Sequence, residues 1–189
     1  DLFGTNGMTH DQINSDLVAQ ADALKSPLEK AAFWRETPPK RDPNFAFRNL
    51  GDFRFVPVAS EWGLDFEGVS YGAAFADFDG DGRIEIITNN FNDIPYYFKN
   101  EFDTSNNYVA LRLQGTSSNR DAIGARIYLE AGVSRQLRQI KAGSGFLSTS
   151  QRAPIFGLGT AQQVETLEVI WPSGARQIHR DIAANQRLR

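Results

Sequence analysis

Ala76-Asp77-Phe78-Asp79-Gly80-Asp81-Gly82-Arg83-Ile84-Glu85-Ile86-Ile87 is the stretch on which the reading of this chain turns. Counting from Asp77, acidic residues fall at positions 1, 3, 5 and 9, and Gly82 stands at position 6, where such a loop must turn sharply. The alternate spacing lets Asp77, Asp79 and Asp81 point inward together, and the carbonyl of Arg83 can fill position 7. That is a hard, all-oxygen, anionic cage, and Ca²⁺ suits it because it accepts six to eight flexible oxygen ligands. Mg²⁺ fits less well, since it prefers strict octahedral geometry and keeps its waters. A soft metal is disfavoured, because no Cys or His is nearby. The bland alternative is an acidic β-turn, as Asp-Gly pairs favour hairpin turns without any metal. Against it stands the mutual repulsion of three aspartates within five residues unless a cation neutralises them.

The loop is not an EF-hand. Position 12 is Thr88, which cannot supply the bidentate carboxylate that motif requires. Its flanks read as strands: Val69 to Ala76 is aromatic and small, and Ile84 to Thr88 is β-branched and short. Composition agrees. The 189 residues suffice for one large or two small domains, and 41% hydrophobic residues can supply a core. Gly 16, Pro 8 and Phe 14 suit a turn-rich β protein more than a helix bundle. The formal charge of −3, with no dominant run of one sign, argues against nucleic acid as a partner. There is no cysteine, hence no disulfide framework and no thiolate site. No apolar run approaches the roughly 20 residues of a membrane span.

Moving outward, Asp1-Leu2-Phe3-Gly4-Thr5-Asn6-Gly7 aligns with Glu85-Ile86-Ile87-Thr88-Asn89-Asn90-Phe91, and Phe47-Arg48-Asn49 with Phe98-Lys99-Asn100. The matches occur in the same order and suggest a repeated supersecondary unit, as in propellers and solenoids. On that reading Asp1 is position 9 of a second loop, and the chain is a piece of a longer parent that carries the remaining blades. About 46 residues separate acid from aromatic in the first copy and about 13 in the second. The extra length holds a helical insert, about residues 11–34, with Leu17, Val18, Leu24, Leu28, Ala31 and Ala32 at near-helical intervals. Pro27 divides it, with Ser26 as N-cap and Pro27 at N1 of the second piece. The apolar stripe is expected to be a packing face.

Thr37 to Pro43 is a stiff, polar return. Strands are expected at Phe45–Asn49, at Phe53–Val58 and on both sides of the acidic loop, closing at Tyr96–Asn100. Four short strands with turns describe one propeller blade. The polar stretch Glu101 to Asn106 marks a boundary, giving domains 1–103 and 104–189. Beyond it, strands are expected at Tyr108–Leu113, Ala125–Glu130, Ser134–Lys141, Ile155–Gly159, Val164–Trp171 and finally Arg176–Arg180. Six to eight strands in this space indicate a small antiparallel sandwich or barrel. The fold class expected is therefore mainly β: a partial β-propeller of one to two blades with a helical insert, plus that sandwich or barrel.

Two resemblances sharpen this. Asn49-Leu50-Gly51-Asp52-Phe53-Arg54-Phe55, followed by the acidic loop, resembles an FG-GAP/VCBS repeat, the blade of integrin-α-type propellers with Ca²⁺ between two strands. The resemblance implies that Asp77, Asp79, Asp81, the Arg83 carbonyl and Glu85 hold the ion. The family usually has Asp at the ninth position, and Glu85 is one methylene longer. The second half resembles the ASPIC/UnbV domain found after such propellers, as in cartilage-acidic-protein-like proteins. The matching segments are Ser118 to Ala125, Gly143 to Gln151, Phe156 to Gly159 and Trp171 to Gly174. This family implies no catalytic residues.

A search for chemistry in the residues adds little. Gly143-Ser144-Gly145 lacks the Gly-x-Ser-x-Gly of a nucleophile elbow, and no dinucleotide-type glycine triplet is present. His10 and His179 fall in different expected domains, with no partner for a zinc site or a Ser-His pair. Arg120, Arg126, Arg135, Arg138, Lys141 and Arg152 bias the second half toward basic; they read as a solvated face, or else as a site for a carboxylate or acidic glycan. Trp34, Trp62 and Trp171 read as core or turn anchors. The function expected is a calcium-binding, non-catalytic module of an exported protein (extracellular, periplasmic or cell-surface) that adheres, scaffolds or recognises a protein or glycan. The alternative is part of a propeller enzyme acting on a small molecule in a calcium-stabilised pocket.

Overall fold

The computed structural model describes residues 1–102 and 105–189; the boundary expected between residues 103 and 104 lies outside the described residues. Strands hold 40% of the chain and helices 10%, so the mainly β class stands. The sheets are largely antiparallel and none closes into a barrel. The chain forms two compact units: residues 1–73 with 86–98, and residues 74–85 with 99–189. Among the described residues no helix is long and apolar enough to cross a membrane.

The first unit opens with β1 (Leu2–Gly4), then helices α1 (Ser15–Ala23) and α2 (Pro27–Glu36). Short strands β2 (Asp42–Pro43), β3 (Phe45–Asn49), β4 (Phe55–Pro57) and β5 (Glu67–Gly68) follow. The chain leaves this unit along β6 (Ser70–Ala76), returns along β7 (Glu85–Asn90) and ends there with β8 (Tyr96–Phe98). Strand orders are β1-β3-β4, β2-β5 and β6-β7-β8. Ala46, Val58 and Leu64 form a small core, with Phe3, Trp62, Ile86 and Phe98 packed on it.

The two segments aligned as a repeat are equivalent in register. Leu2 pairs with Phe47 in the antiparallel β1–β3 pair, and Ile86 pairs with Phe98 in the β7–β8 hairpin. Those are the positions that the sequence alignment equates. The insert between β1 and β3 is helical, as its spacing predicts. Asn14 caps α1 by accepting from the N–H groups of Asp16 and Leu17. At α2, Ser26 and Glu29 close a capping box with Pro27 in the first turn. The apolar stripe is less buried than expected. Ala21 alone is buried in α1, and nothing is buried in α2, where Leu28 is 82% exposed. Pro27 starts a new helix, so Leu28 does not continue the face carrying Leu17, Ala21 and Leu24.

The second unit holds β9 (Asn107–Leu111), β10 (Arg126–Ala131), β11 (Ser134–Gln139), β12 (Ile155–Gly159), β13 (Gln163–Ile170), β14 (Arg176–Ala183) and β15 (Gln186–Leu188). Two sheets, ordered β11-β10-β13-β14 and β12-β9-β15, turn their apolar faces onto one core. Val109, Leu111 and Phe156 come from the narrower sheet, and Ile127, Leu129, Val164 and Val169 from the wider. Full burial of such side chains is worth about 1.5–3 kcal/mol each. Of the sandwich or barrel expected, this unit takes the two-sheet form. Arg176–Arg180 is not the last strand: β15 follows and pairs parallel to β9, so the unit is not wholly antiparallel. Gln186-Arg187-Leu188 offers one apolar residue after two polar ones, too faint a pattern to read as a strand.

Candidate metal centre

The acidic loop belongs to the second unit, because that unit's C-terminal half builds its scaffold. As β6 ends, the Phe75 N–H donates to Ser150 Oγ at 3.1 Å, and Gln151 returns its own N–H to the Phe75 carbonyl at 2.9 Å. The Asp77 N–H donates to Gln151 Oε1 at 2.8 Å. Ser150 is held in turn by Ser144, whose Oγ lies 2.8 Å from Ser150 Oγ and accepts from the Ser150 N–H at 2.7 Å. Asp77 is thus placed by the segment Gly143 to Gln151, not by the loop alone.

Inside the loop the carboxylates fold the backbone around themselves. Asp77 Oδ1 accepts from the Gly80 N–H at 2.6 Å and Oδ2 from the Gly82 N–H at 2.8 Å. Both glycines are left-handed, with φ of 86° and 90°, a conformation a side chain would strain. A Cβ at Gly82 would also run into the ring of Tyr108 on β9. Asp79 Oδ1 accepts from the Asp81 N–H at 3.3 Å, and Asp81 Oδ1 from the Arg83 N–H at 2.8 Å. Glu85 opens β7 and is wholly buried; its Oε2 accepts from the Phe78 N–H at 2.8 Å.

Asp77, Asp79 and Glu85 bring carboxylate oxygens within 4.8 Å of one another, the one such cluster among the described residues. Asp81 is turned aside and ion-pairs with the guanidinium of Arg83. Two more cations flank the cluster. Arg187 of β15 donates to Asp77 Oδ2, and Lys99 Nζ stands 4.0 Å from Asp79 Oδ2. The feature that points to an ion is Glu85 Oε1, which is buried and has no hydrogen-bond partner. Such an oxygen is costly to bury unless something meets it. An all-oxygen donor set with an unsatisfied carboxylate suits a hard divalent cation, and Ca²⁺ above the smaller Mg²⁺.

Reading the sequence missed Ser150, Gln151 and Arg187. Ser150 and Gln151 end a segment singled out for another reason, while Arg187 stands in no motif. The basic residues of the second half do not form one patch. Arg126 and Arg135 share the outer face of the wide sheet, with Arg135 3.0 Å from Glu130. Arg138 lies over the Phe156 ring at 5.6 Å, and Arg152 pairs with Asp121 at 2.8 Å. The tryptophans are anchored: Trp34 by His10 and Phe33, Trp62 under Arg48, and Trp171 on the sandwich core with its indole N–H donating to Gln177.

Residues 115–189 match the family model described as ASPIC and UnbV. Among curated proteins the chain is similar to cartilage acidic protein 1 of Mus musculus, 31% identical over 127 residues, which is 65% of this chain and 19% of that protein. The human cartilage acidic protein 1 is 30% identical over the same length and shares. That of Xenopus tropicalis is 45% identical over 51 residues, 26% of this chain and 8% of that protein. The chain therefore spans 19% of the length of the first two relatives.

Proposed function

We propose that this chain is a calcium-binding, non-catalytic module of an exported protein, serving adhesion, scaffolding or recognition of a protein or glycan. The observation that carries the reading is the orphaned Glu85 Oε1 beside Asp77 and Asp79. Asp79 and Glu85 supply ligands, Asp77 both a ligand and the turn, and Asp81 with the Arg83 carbonyl completes the shell once the ion draws Asp81 from Arg83. Binding free energy then becomes folding free energy for the second unit. The matching registers of the β1–β3 and β7–β8 antiparallel pairs support reading the first unit as FG-GAP/VCBS-type blade material with its partner blades elsewhere in a longer chain. The likeness to cartilage acidic protein 1 supports an extracellular location and a non-catalytic role. Modules exposed to extracellular calcium bind it at roughly 10⁻⁴–10⁻³ M, so occupancy would follow the calcium outside the cell.

Thermal melts test this. At calcium about 100-fold above Kd, the stabilisation is about 2.7 kcal/mol, a rise of roughly 5–10 °C in Tm for a chain of this size. Asp79 is exposed, so Asp79→Ala is expected to melt like the parent in chelator and to lose the rise. Equal melting of the parent with and without calcium overturns the proposal.

A further inference from the structure

The two sheets of the second unit end differently on their two sides. Terminal strands β11 and β12 are tied together: Gln136 Nε2 donates to the Gly157 carbonyl at 2.6 Å, and the Arg138 guanidinium lies over the Phe156 ring. Terminal strands β14 and β15 instead line a cavity of about 650 Å³. That is within the roughly 300–1,000 Å³ typical of small-molecule sites. Its floor is aliphatic, made by Leu111, Leu167, Val169 and Leu188 at the edge of the core.

Strand alternation decides which polar groups share the cavity with that floor. Residues directly opposite in an antiparallel ladder face the same way. Gln177 pairs with Val169 and His179 with Leu167, so β14 turns an amide and an imidazole inward. Charges go the other way. Arg176 and Glu168, next in sequence to inward residues, lie on the outer face and ion-pair there. Arg112 follows Leu111 and Arg189 follows Leu188, so both guanidiniums leave the floor side. Arg187, on the same side of β15 as Arg189, reaches Asp77, and Arg112 lines a second cavity with Asp121 and Ser150. Among the described residues lining the cavity, no guanidinium, ammonium or carboxylate is turned toward the floor. Gln177 Oε1 accepts from the Trp171 indole N–H at 2.8 Å, which leaves the Gln177 NH₂ as a donor. A charged group on this floor would lose water with no counter-charge to meet it, whereas a neutral hydroxyl or carbonyl can accept from Gln177.

We propose that this cavity binds a small uncharged amphiphile, its aliphatic body on Leu111, Val169 and Leu188 and its hydroxyl or carbonyl head at Gln177 and His179.

The probe is 1-octanol, followed by amide and indole chemical shifts in calcium-containing buffer, with sodium octanoate as its charged counterpart. Saturable shifts are expected at the Trp171 indole N–H, Gln177, His179 and Leu188, with Kd of about 0.1–1 mM. Octanoate should bind at least tenfold more weakly. Gln177→Glu keeps an acceptor for the indole N–H, removes the donor and sets a carboxylate beside the floor. Gln177 is exposed, so this variant should fold, and it should weaken octanol at least tenfold. Ile178→Ser, on the outer face of the same strand, should leave binding unchanged. Octanoate binding as tightly as octanol would overturn the proposal, as would undiminished binding by Gln177→Glu. Shifts that fail to saturate, or that Ile178→Ser abolishes, would do the same.

Discussion

Glu85 is the residue whose substitution is most informative, because it is wholly buried and only half satisfied. Its Oε2 takes the Phe78 N–H while Oε1 has no hydrogen-bond partner, and its carboxylate clusters with those of Asp77 and Asp79. In Glu85→Gln the amide oxygen can keep the Phe78 bond and the NH₂ can donate toward the aspartates. Without calcium the variant should therefore be more stable than the parent, by about 1 kcal/mol or a few degrees of Tm. With calcium it should lose the anionic ligand and the thermal response. Paired melts in chelator and in calcium check the opposite signs; a variant less stable in chelator would show that the buried charge is not a liability. This behaviour could not be read from the motif, which gives the acid its position but not its burial.

Two elements carry testable roles. Helix α2 is set by local chemistry: Ser26, Pro27 and Glu29 specify its start, and none of its residues is buried. Ser26→Ala removes the cap, at about 1 kcal/mol. Because the helix holds no buried side chain, the loss should be local. Faster hydrogen exchange of the Lys30 amide, which bonds to the Ser26 carbonyl, is expected with nearly unchanged Tm. Strand β15 is the opposite case, three residues held by its neighbours. Its Arg187 supplies a cation to the buried Asp77. Arg187→Met should lower Tm in chelator and enlarge the calcium-induced rise. It should also tighten calcium several-fold, because one positive charge no longer opposes another; the effect is moderated by the arginine's partial exposure. Calcium titration of the variant measures it, and weaker binding would mean that Arg187 chiefly positions Asp77.

At the scale of the molecule, the loop is covalently placed between strands of the first unit yet built by the second. Gln151, Tyr108 and Arg187 hold it from three separate segments. Calcium should therefore protect amides in the second unit's narrow sheet, such as Arg112, bonded to Leu188, and Asn185, bonded to Tyr108. Protection of at least several-fold is expected there, with little change at the Val58 amide in the first unit. Hydrogen exchange with and without calcium distinguishes this from a response confined to residues 77–85.

Local patterns fixed much of this protein in advance. Short strand-forming runs bounded by turn residues located most of the strands to within a few residues, Phe45–Asn49 and Ile155–Gly159 at both ends. Ser26-Pro27 placed the start of a helix, and the alignment of Leu2 with Ile86 and of Phe47 with Phe98 is matched by two antiparallel pairs of equal register. The spacing of the acids marked the candidate site. These features depend on residues near one another in sequence, where steric and hydrogen-bonding preferences act directly. Tertiary structure decided the rest: that Asp77, Asp79 and Glu85 converge while Asp81 turns to Arg83, and that Gln151 and Arg187 reach the loop from 74 and 110 residues away. Those outcomes follow from which strands pair and which groups are driven out of water together, and neither is encoded in any one stretch of the chain.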